Sequence, residues 1–166
     1  MPAKTATPTI AGGTQQTYTV VVPAGATKLD VSIGNPSDKA ADLDLFVTGP
    51  GGAKQSADGD SEEAVSYANP AAGTYTVTVD GYSVPAGTTT YDYVDVFYGG
   101  SLGSITIDEH STFPLGAGET HTVTGSVTAN SAPAAGRSLF STMTVKDPAG
   151  IVLGSGAVTV SAVTTP

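Results

Sequence analysis

The sequence predicts an all-β protein, and three features of its composition support that prediction. The chain of 166 residues contains 21 glycines and 11 prolines, spread along its whole length, and both residue types interrupt helices. It contains 25 threonines and 18 valines against 7 leucines, a balance that favours extended strands. Hydrophobic residues make up 39% and charged residues 13%, which allows a core and excludes a disordered polyelectrolyte, a coiled coil and a helical bundle.

Short alternating segments, each closed by turn residues, predict six strands before residue 100. Proline and glycine recur in the turns between them, because proline fixes φ and glycine supplies a positive φ. The spacing is typical of a β-sandwich or jelly roll. The predicted strands cover residues 17–22, 28–33, 42–48, 63–67, 74–79 and 90–98.

A glycine-rich break at residues 99–103 separates these strands from fewer and longer ones. The later predicted strands cover residues 104–107, 119–129, 139–147 and 151–163. We therefore predict a jelly-roll-like β-sandwich followed by a second small immunoglobulin-like β-domain, packed on the first. The predicted boundaries are 1–9 for a linker or the trimmed start of a longer chain, 10–100 for the sandwich and 101–166 for the second domain.

Net charge and cysteine content limit the possible binding partners and the possible chemistry of the chain. Six Lys and Arg residues stand against fifteen Asp and Glu residues, so the net charge is −9. Nucleic acids and anionic membranes attract basic surfaces, and we expect neither as a partner. The longest apolar run is only a few residues, which excludes a transmembrane helix. Cysteine is absent, which excludes disulfides, thiol catalysis and cysteine-bound zinc.

Two acidic segments are candidates for a cation site. Alternation puts Asp42 and Asp44 on one strand face, where they repel unless a cation or hydrogen-bond donors offset them. The next acidic turn adds Asp58, Asp60 and Glu62. Ca²⁺ takes about six to eight oxygen ligands, so both segments could share one structural ion, although no EF-hand spacing is present. The alternative is a solvated acidic turn, with the strand aspartates accepting backbone or threonine hydrogen bonds.

An aromatic strand is a second candidate site. Alternation places Tyr91, Tyr93, Asp95 and Phe97 on the same face. Flat rings stack on sugars or peptides and a carboxylate accepts hydrogen bonds, so this face could bind such a ligand. The alternative is that these side chains pack inside the sheet.

Catalytic groups are scarce, and we predict that the chain is not an enzyme. Its histidines are His110, expected on a surface loop, and His121, expected on a strand and facing water. The nucleophile elbow Gly-x-Ser-x-Gly does not occur, and the loop at residues 49–52 lacks the ending of a phosphate loop. Counting acids does not exclude a glycosidase with two carboxylates, but a small turn-rich sandwich rarely offers a deep cleft.

Three segments in order resemble one family. Residues 41–52 read Ala-Asp-Leu-Asp-Leu-Phe-Val-Thr-Gly-Pro-Gly-Gly, residues 61–63 read Ser-Glu-Glu, and residues 69–77 read Asn-Pro-Ala-Ala-Gly-Thr-Tyr-Thr-Val. Over residues 10–100 the chain resembles the bacterial pre-peptidase C-terminal domain. Its continuation over residues 79–93 is similar to the version near the C-terminus of secreted subtilisin-like serine proteases of actinomycetes.

The resemblance implies a non-catalytic accessory region of a secreted, extracellular subtilisin-like protease. Such a region assists substrate binding, folding or stability, and its partners are the parent catalytic domain and an extended or insoluble protein substrate. Relatives from collagen-degrading enzymes bind calcium, which makes the five acids above the residues to test. Those relatives carry an acidic linker before the first strand, whereas residues 1–16 here contain no acid. The alternative function is a free-standing carbohydrate-binding or adhesin module that uses the aromatic face.

Overall fold

The computed structural model describes residues 2–99, 103–108, 112–130, 132–160 and 163. No helix within these ranges is long and apolar enough to cross a membrane. The described residues form fourteen strands. They are β1 (Pro2–Ala6), β2 (Thr9–Ala11), β3 (Gln15–Val22), β4 (Lys28–Gly34), β5 (Asp42–Gly49), β6 (Gly52–Ser56), β7 (Ala64–Ala68), β8 (Gly73–Ser83), β9 (Thr88–Thr90), β10 (Asp92–Tyr98), β11 (Gly103–Ile107), β12 (Gly125–Ala129), β13 (Ser138–Lys146) and β14 (Val152–Val160).

Eight of these strands form the two layers of a sandwich. One layer has the order β1-β10-β4-β7 and belongs to a six-stranded sheet, while the other has the order β3-β8-β5-β6. The chain crosses between the layers at nearly every connection, and this order is that of an eight-stranded jelly roll. The predicted all-β, jelly-roll-like class is confirmed.

Alternation along the strands builds the core between the layers. On β5, Leu43, Leu45 and Val47 are completely buried, while the residues between them lie on the outer face. Tyr75 on β8 and Leu29 on β4 reach the same core from opposite layers. Each fully buried large apolar side chain contributes about 1.5–3 kcal/mol, so this continuous cluster is the main source of stability.

The N-terminal segment differs from the prediction. Residues 1–9, predicted as a linker, contain β1, which pairs with β10 from Ala3 opposite Val96 to Ala6 opposite Tyr93. Five residues without a run of large apolar side chains carry no strand signal of their own. Their strand conformation comes from the partner strands on either side of β1, which are β10 and β13.

Other differences have the same origin. β6 has no apolar alternation and forms because its hairpin with β5 turns at Gly52, whose φ is 90°. β2 and β9 are only three residues long and pair with each other. The strand predicted over residues 119–129 is limited to Gly125–Ala129, because only that part pairs with β11.

The C-terminal region consists of two hairpins. β13 and β14 pair along their lengths and join the six-stranded sheet where Pro2 and Ala3 of β1 meet Leu139 and Ser138. β11 and β12 form a separate two-stranded sheet. Residues 100–102 of the predicted linker lie outside the described residues, and the division at residue 101 and the immunoglobulin-like second domain stay predictions.

A buried ion pair ties β13 to the jelly roll. Arg137, immediately before β13, donates from Nη1 to Oδ1 of Asp95 on β10 at 2.5 Å. The Tyr93 hydroxyl donates to the other carboxylate oxygen at 3.0 Å, and the guanidinium carbon lies 5.7 Å from the centre of the Phe97 ring. The Asp95 side chain is fully buried and Arg137 is only 9% exposed. A carboxylate buried to this extent requires such partners.

Replacing Arg137 with methionine should destabilise the chain strongly, because Asp95 would remain buried without its counter-ion. We expect the free energy of unfolding to fall by about 3–5 kcal/mol in urea titrations. The double variant Arg137→Met/Asp95→Asn should recover part of this loss, since the buried group is then neutral. The control is Lys28→Met, which removes the exposed ion pair with Asp30 and should change stability far less. Equal effects of Arg137→Met and Lys28→Met would contradict the role of the buried pair.

Candidate functional site

The turn between β6 and β7 brings three carboxylates together. Asp58, Asp60 and Glu63 each offer one carboxylate oxygen, and these oxygens all lie within 4.8 Å of one another. Two side chain-to-backbone bonds shape the turn: Asp58 Oδ1 accepts the N–H of Asp60 at 3.3 Å, and Asp60 Oδ1 accepts the N–H of Glu62 at 2.7 Å. The cluster has the donor set to hold a metal ion.

Glu63 anchors the cluster from inside the protein. Its side chain is only 1% exposed, whereas Asp58 and Asp60 face solvent. Glu63 Oε1 accepts the backbone N–H of Asp58 at 2.9 Å, and Oε2 accepts the hydroxyl of Ser56. Its backbone exchanges two hydrogen bonds with Ile33 at the end of β4. Glu63 therefore joins the acidic turn to the core sheet.

The start of β5 lies directly against this turn. The N–H of Leu43 donates to the carbonyl of Asp60 at 3.2 Å, and the buried Ser61 hydroxyl donates to the carbonyl of Ala41 at 2.7 Å. These two bonds hold the predicted pair Asp42 and Asp44 beside the carboxylates of the turn. The two acidic segments predicted from the sequence are thus neighbours in the structure.

The combined negative charge acts on Asp44. Burial raises the pKa of its carboxyl above the ordinary value of 3.8, and the negative charges of Asp42, Asp80, Glu63 and Asp58 raise it further. Asp42 itself has a buried oxygen, Oδ1, with no hydrogen-bond partner among the described residues. Unbalanced carboxylates at this density favour the binding of a cation or of protons.

No lysine or arginine within the described ranges pairs with this cluster. The salt bridges in that part of the chain are Lys28 with Asp30 and Arg137 with Asp95, both on the other sheet. The oxygen atoms near the cluster that could coordinate a metal belong to carboxylates, carbonyls and a serine hydroxyl. Hard divalent cations such as Ca²⁺ prefer oxygen ligands of this kind.

Glu62, predicted as a ligand, lies elsewhere. Its Oε1 accepts the backbone N–H of Asn35 at 3.0 Å, and its carboxylate packs against Gly34, where an added Cβ would collide with it. The neighbouring Glu63 takes its place in the cluster. The sequence contained the signal for this exchange, since Glu63 shares the alternation of the buried Val65 and Tyr67.

The predicted aromatic ligand face is turned inward. Tyr91, Tyr93 and Asp95 are 0% exposed and Phe97 is 6% exposed, so this set cannot stack on an external ligand. The Tyr93 ring stacks on Tyr18 with 3.9 Å between ring centres. Burial raises the pKa of the Tyr93 hydroxyl, and the charge of Asp95 adds to the rise. The alternation was correct, but the face packs against the opposite layer of the sandwich.

Neither histidine is among the predicted site residues. His110 lies outside the described residues. His121 lies in an exposed loop before β12, not on the predicted strand, and its ring stacks on Phe113 with 3.9 Å between centres.

Comparison with known proteins agrees with the resemblance seen in the sequence. Residues 14–81, which cover β3 to most of β8, match the family model of the bacterial pre-peptidase C-terminal domain. Pyrolysin of Pyrococcus furiosus, a subtilisin-like protease, is 38% identical over 117 residues, which are 66% of this chain and 8% of pyrolysin. The chain thus spans less than a tenth of that relative's length. The predicted family resemblance is confirmed.

Solved structures are more distant. The periplasmic g-type lysozyme inhibitor PliG of Aeromonas hydrophila has a TM-score of 0.42 and 22% identity, and the similarity covers 57% of this chain and 85% of that one. The Bacillus licheniformis lipase BlEst2 in its propeptide form has a TM-score of 0.41 and 12% identity, and the similarity covers 95% of this chain and 40% of that one. At these scores neither structure bears on the function.

Replacing Asp44 with asparagine tests the unbalanced charge. A carboxyl with a raised pKa binds its proton more tightly in the native state, so stability falls as the pH rises from 3.8 through that raised pKa. In EDTA, Asp44→Asn should therefore melt above the parent chain at about pH 7, with the difference largely lost at about pH 3. Thermal unfolding followed by circular dichroism measures this.

The control for this measurement is Asp92→Asn. Asp92 accepts hydrogen bonds from Thr7 and Asn35, so its replacement should give no gain in stability at neutral pH. Identical melting temperatures for Asp44→Asn and the parent chain at pH 7 would show that the carboxylates do not repel one another.

Proposed function

We propose that this chain, whose residues 14–81 match the family model of the bacterial pre-peptidase C-terminal domain, is a non-catalytic accessory region of a secreted subtilisin-like protease. The support is the family match together with the identity to pyrolysin. Domains of this family are non-catalytic C-terminal domains of proteases. Its partners would be the catalytic domain of the parent protein and the protein substrate of that domain.

The region would contribute stability through a bound Ca²⁺ ion. The observation that carries this proposal is the fully buried Glu63 carboxylate, clustered with Asp58 and Asp60 and facing further acids on β5. Ca²⁺ accepts an irregular set of carboxylates, carbonyls and water, and extracellular modules bind it at about 10⁻⁴–10⁻³ M. The charges of Glu63 and Asp58 act on Asp44, so Asp42 and Asp44 would add negative charge beside the ion.

Calcium at this turn would join three parts of the jelly roll. Asp58 and Asp60 belong to the connection after β6, Glu63 is bonded to the end of β4, and Asp44 lies on β5. An ion that binds only the native state stabilises that state by mass action. A region of this kind would be stable outside the cell, where calcium is abundant, and would resist cleavage by its own parent protease.

Calcium should raise the melting temperature of the chain. We expect the midpoint in about 1 mM Ca²⁺ to lie a few degrees above that in EDTA, since about 1 kcal/mol moves the midpoint of a chain of this length by about 2–4 °C. Thermal unfolding by circular dichroism or calorimetry measures the shift.

Two neighbouring glutamates provide the matched variants for this experiment. Glu63→Gln should abolish most of the calcium shift, because its carboxylate belongs to the cluster. Glu62→Gln should keep the shift, because that side chain is bonded to Asn35 instead. The assignment of the calcium site is wrong if calcium does not raise the melting temperature of the parent chain. It is also wrong if Glu63→Gln keeps the calcium shift and Glu62→Gln loses it.

Retention on insoluble material tests the substrate-binding part of the proposal. The chain should be retained on insoluble collagen, keratin or casein, and not on cellulose or chitin, because the aromatic face that a carbohydrate-binding module would use is buried. Sedimentation of each material followed by assay of the unbound protein measures retention. Retention on polysaccharide alone would instead favour the free-standing carbohydrate-binding or adhesin module.

A further inference from the structure

An open groove lies between the two C-terminal hairpins. Its volume is about 980 Å³. Ile107, Phe113 and Val123 line the side of the β11–β12 hairpin, and Met143 and Leu153 line the side of the β13–β14 hairpin. A groove of this size is large enough for several side chains of a partner.

Exposed apolar side chains concentrate in the C-terminal region, and four of them, Leu115, Val123, Val145 and Leu153, line the groove. Seven of the nine large hydrophobic side chains that the described residues expose belong to the C-terminal region, while only Val21 and Tyr82 belong to the jelly roll. Concentrated apolar exposure of this kind marks an interaction surface. The seven are Leu115, Val123, Val127, Val145, Ile151, Val152 and Leu153, with exposed fractions between 44% and 68%.

Two glycines of β14 keep the floor of the groove open. Gly156 is opposite Met143 and Gly154 is opposite Val145, and all four residues line the groove. A Cβ added at either glycine would meet no atom within 4 Å, and neither glycine has a positive φ. Neither packing nor backbone conformation therefore requires glycine here. Glycine inside a strand marks a bulge, a tight bend or the close approach of a ligand or of another backbone. The register shift of the β13–β14 ladder lies beside Gly154, so Gly156 is the glycine that points to an approaching ligand.

The outer edge of β14 is able to accept a further strand. β14 is the last strand of the six-stranded sheet, so its outward N–H and C=O groups have no strand partner within the described ranges. Its nine residues, Val152–Val160, include no charge and no proline, the usual protections of an edge. A polypeptide that pairs there would continue the ladder that already joins β14, β13 and β1.

We propose that this edge and groove bind an extended, uncharged apolar segment of polypeptide, which pairs with β14 and places alternate side chains over Gly154 and Gly156. The inference deepens the proposed accessory function and rests on it, since the segment would belong to the protein substrate of the parent protease. A polypeptide is the occupant that would continue the ladder of backbone hydrogen bonds at this edge. Charge agrees with a neutral occupant: the chain carries −9, but among the described residues that line the groove only Lys146 and Asp147 are charged, and their charges are opposite.

Fluorescence anisotropy with the full chain tests the proposal. The probe is a fluorescein-labelled peptide of nine residues, the length of β14, in which threonine and valine alternate. We expect saturable binding of this peptide and none of a matched peptide with glutamate in place of each valine. Gly156→Leu should weaken binding about tenfold or more, because leucine occupies the floor of the groove.

Ala157→Leu is the matched control for this variant. Ala157 is the next residue of β14 and pairs with Thr142, and neither of the two lines the groove, so its replacement should leave binding unchanged. Both variants should fold, since Gly156 has free space around it and Ala157 is exposed.

Three outcomes would overturn the proposal: no binding of the Thr-Val peptide, equal binding by Gly156→Leu and Ala157→Leu, or a dimer in sedimentation equilibrium that Gly156→Leu abolishes. The last would make a second copy of the chain the occupant. The calcium shift and the retention on insoluble protein, measured on the same samples, keep the two proposals distinguishable. If both persist without peptide binding, only the groove is wrong, whereas loss of both would count against the accessory function itself.

Discussion

Burial of carboxylates is the constraint on which this structure depends most. Asp95 and Glu63 are both removed from water, each at a place where the sandwich meets another part of the chain. A buried negative charge is tolerated only with donors or a cation beside it. The partners of Asp95 are Arg137 and Tyr93. The ion pair with Arg137 therefore attaches the C-terminal hairpin β13–β14 to the jelly roll.

The second carboxylate is satisfied in a different way. Glu63 accepts hydrogen bonds from Ser56 and Asp58, but its neighbours in the turn are acids, and their charges reach Asp44 on β5. Within the described part of the chain the balancing charge does not come from a lysine or arginine. Under the proposed function, such a site would make stability depend on a cation from the solvent.

The two halves of the chain differ in how completely they bury their apolar residues. In the jelly roll, alternating side chains from two layers close a continuous core around Tyr75 and Leu45. In the C-terminal region, two hairpins face each other across a groove that Gly154 and Gly156 leave open. The jelly roll closes its core, although its strand β1 and its buried Asp95 take partners from the C-terminal region, whereas that region leaves one edge of β14 unpaired and an apolar surface exposed among the described residues.

From the sequence by itself, alternation determined the all-β class, most strands of the jelly roll, the shared face of Asp42 and Asp44, and the acidic turn with Asp58 and Asp60. These features are local, because the period of two and the turn residues act within a few positions. Tertiary structure decided the rest. β1 is a strand only because β10 and β13 flank it, and β10 has side chains suited to the core on both faces, so only the opposite layer determined which face is buried. The choice of Glu63 over Glu62 and the pairing of Asp95 with Arg137 likewise depended on contacts between distant segments, which no local pattern records.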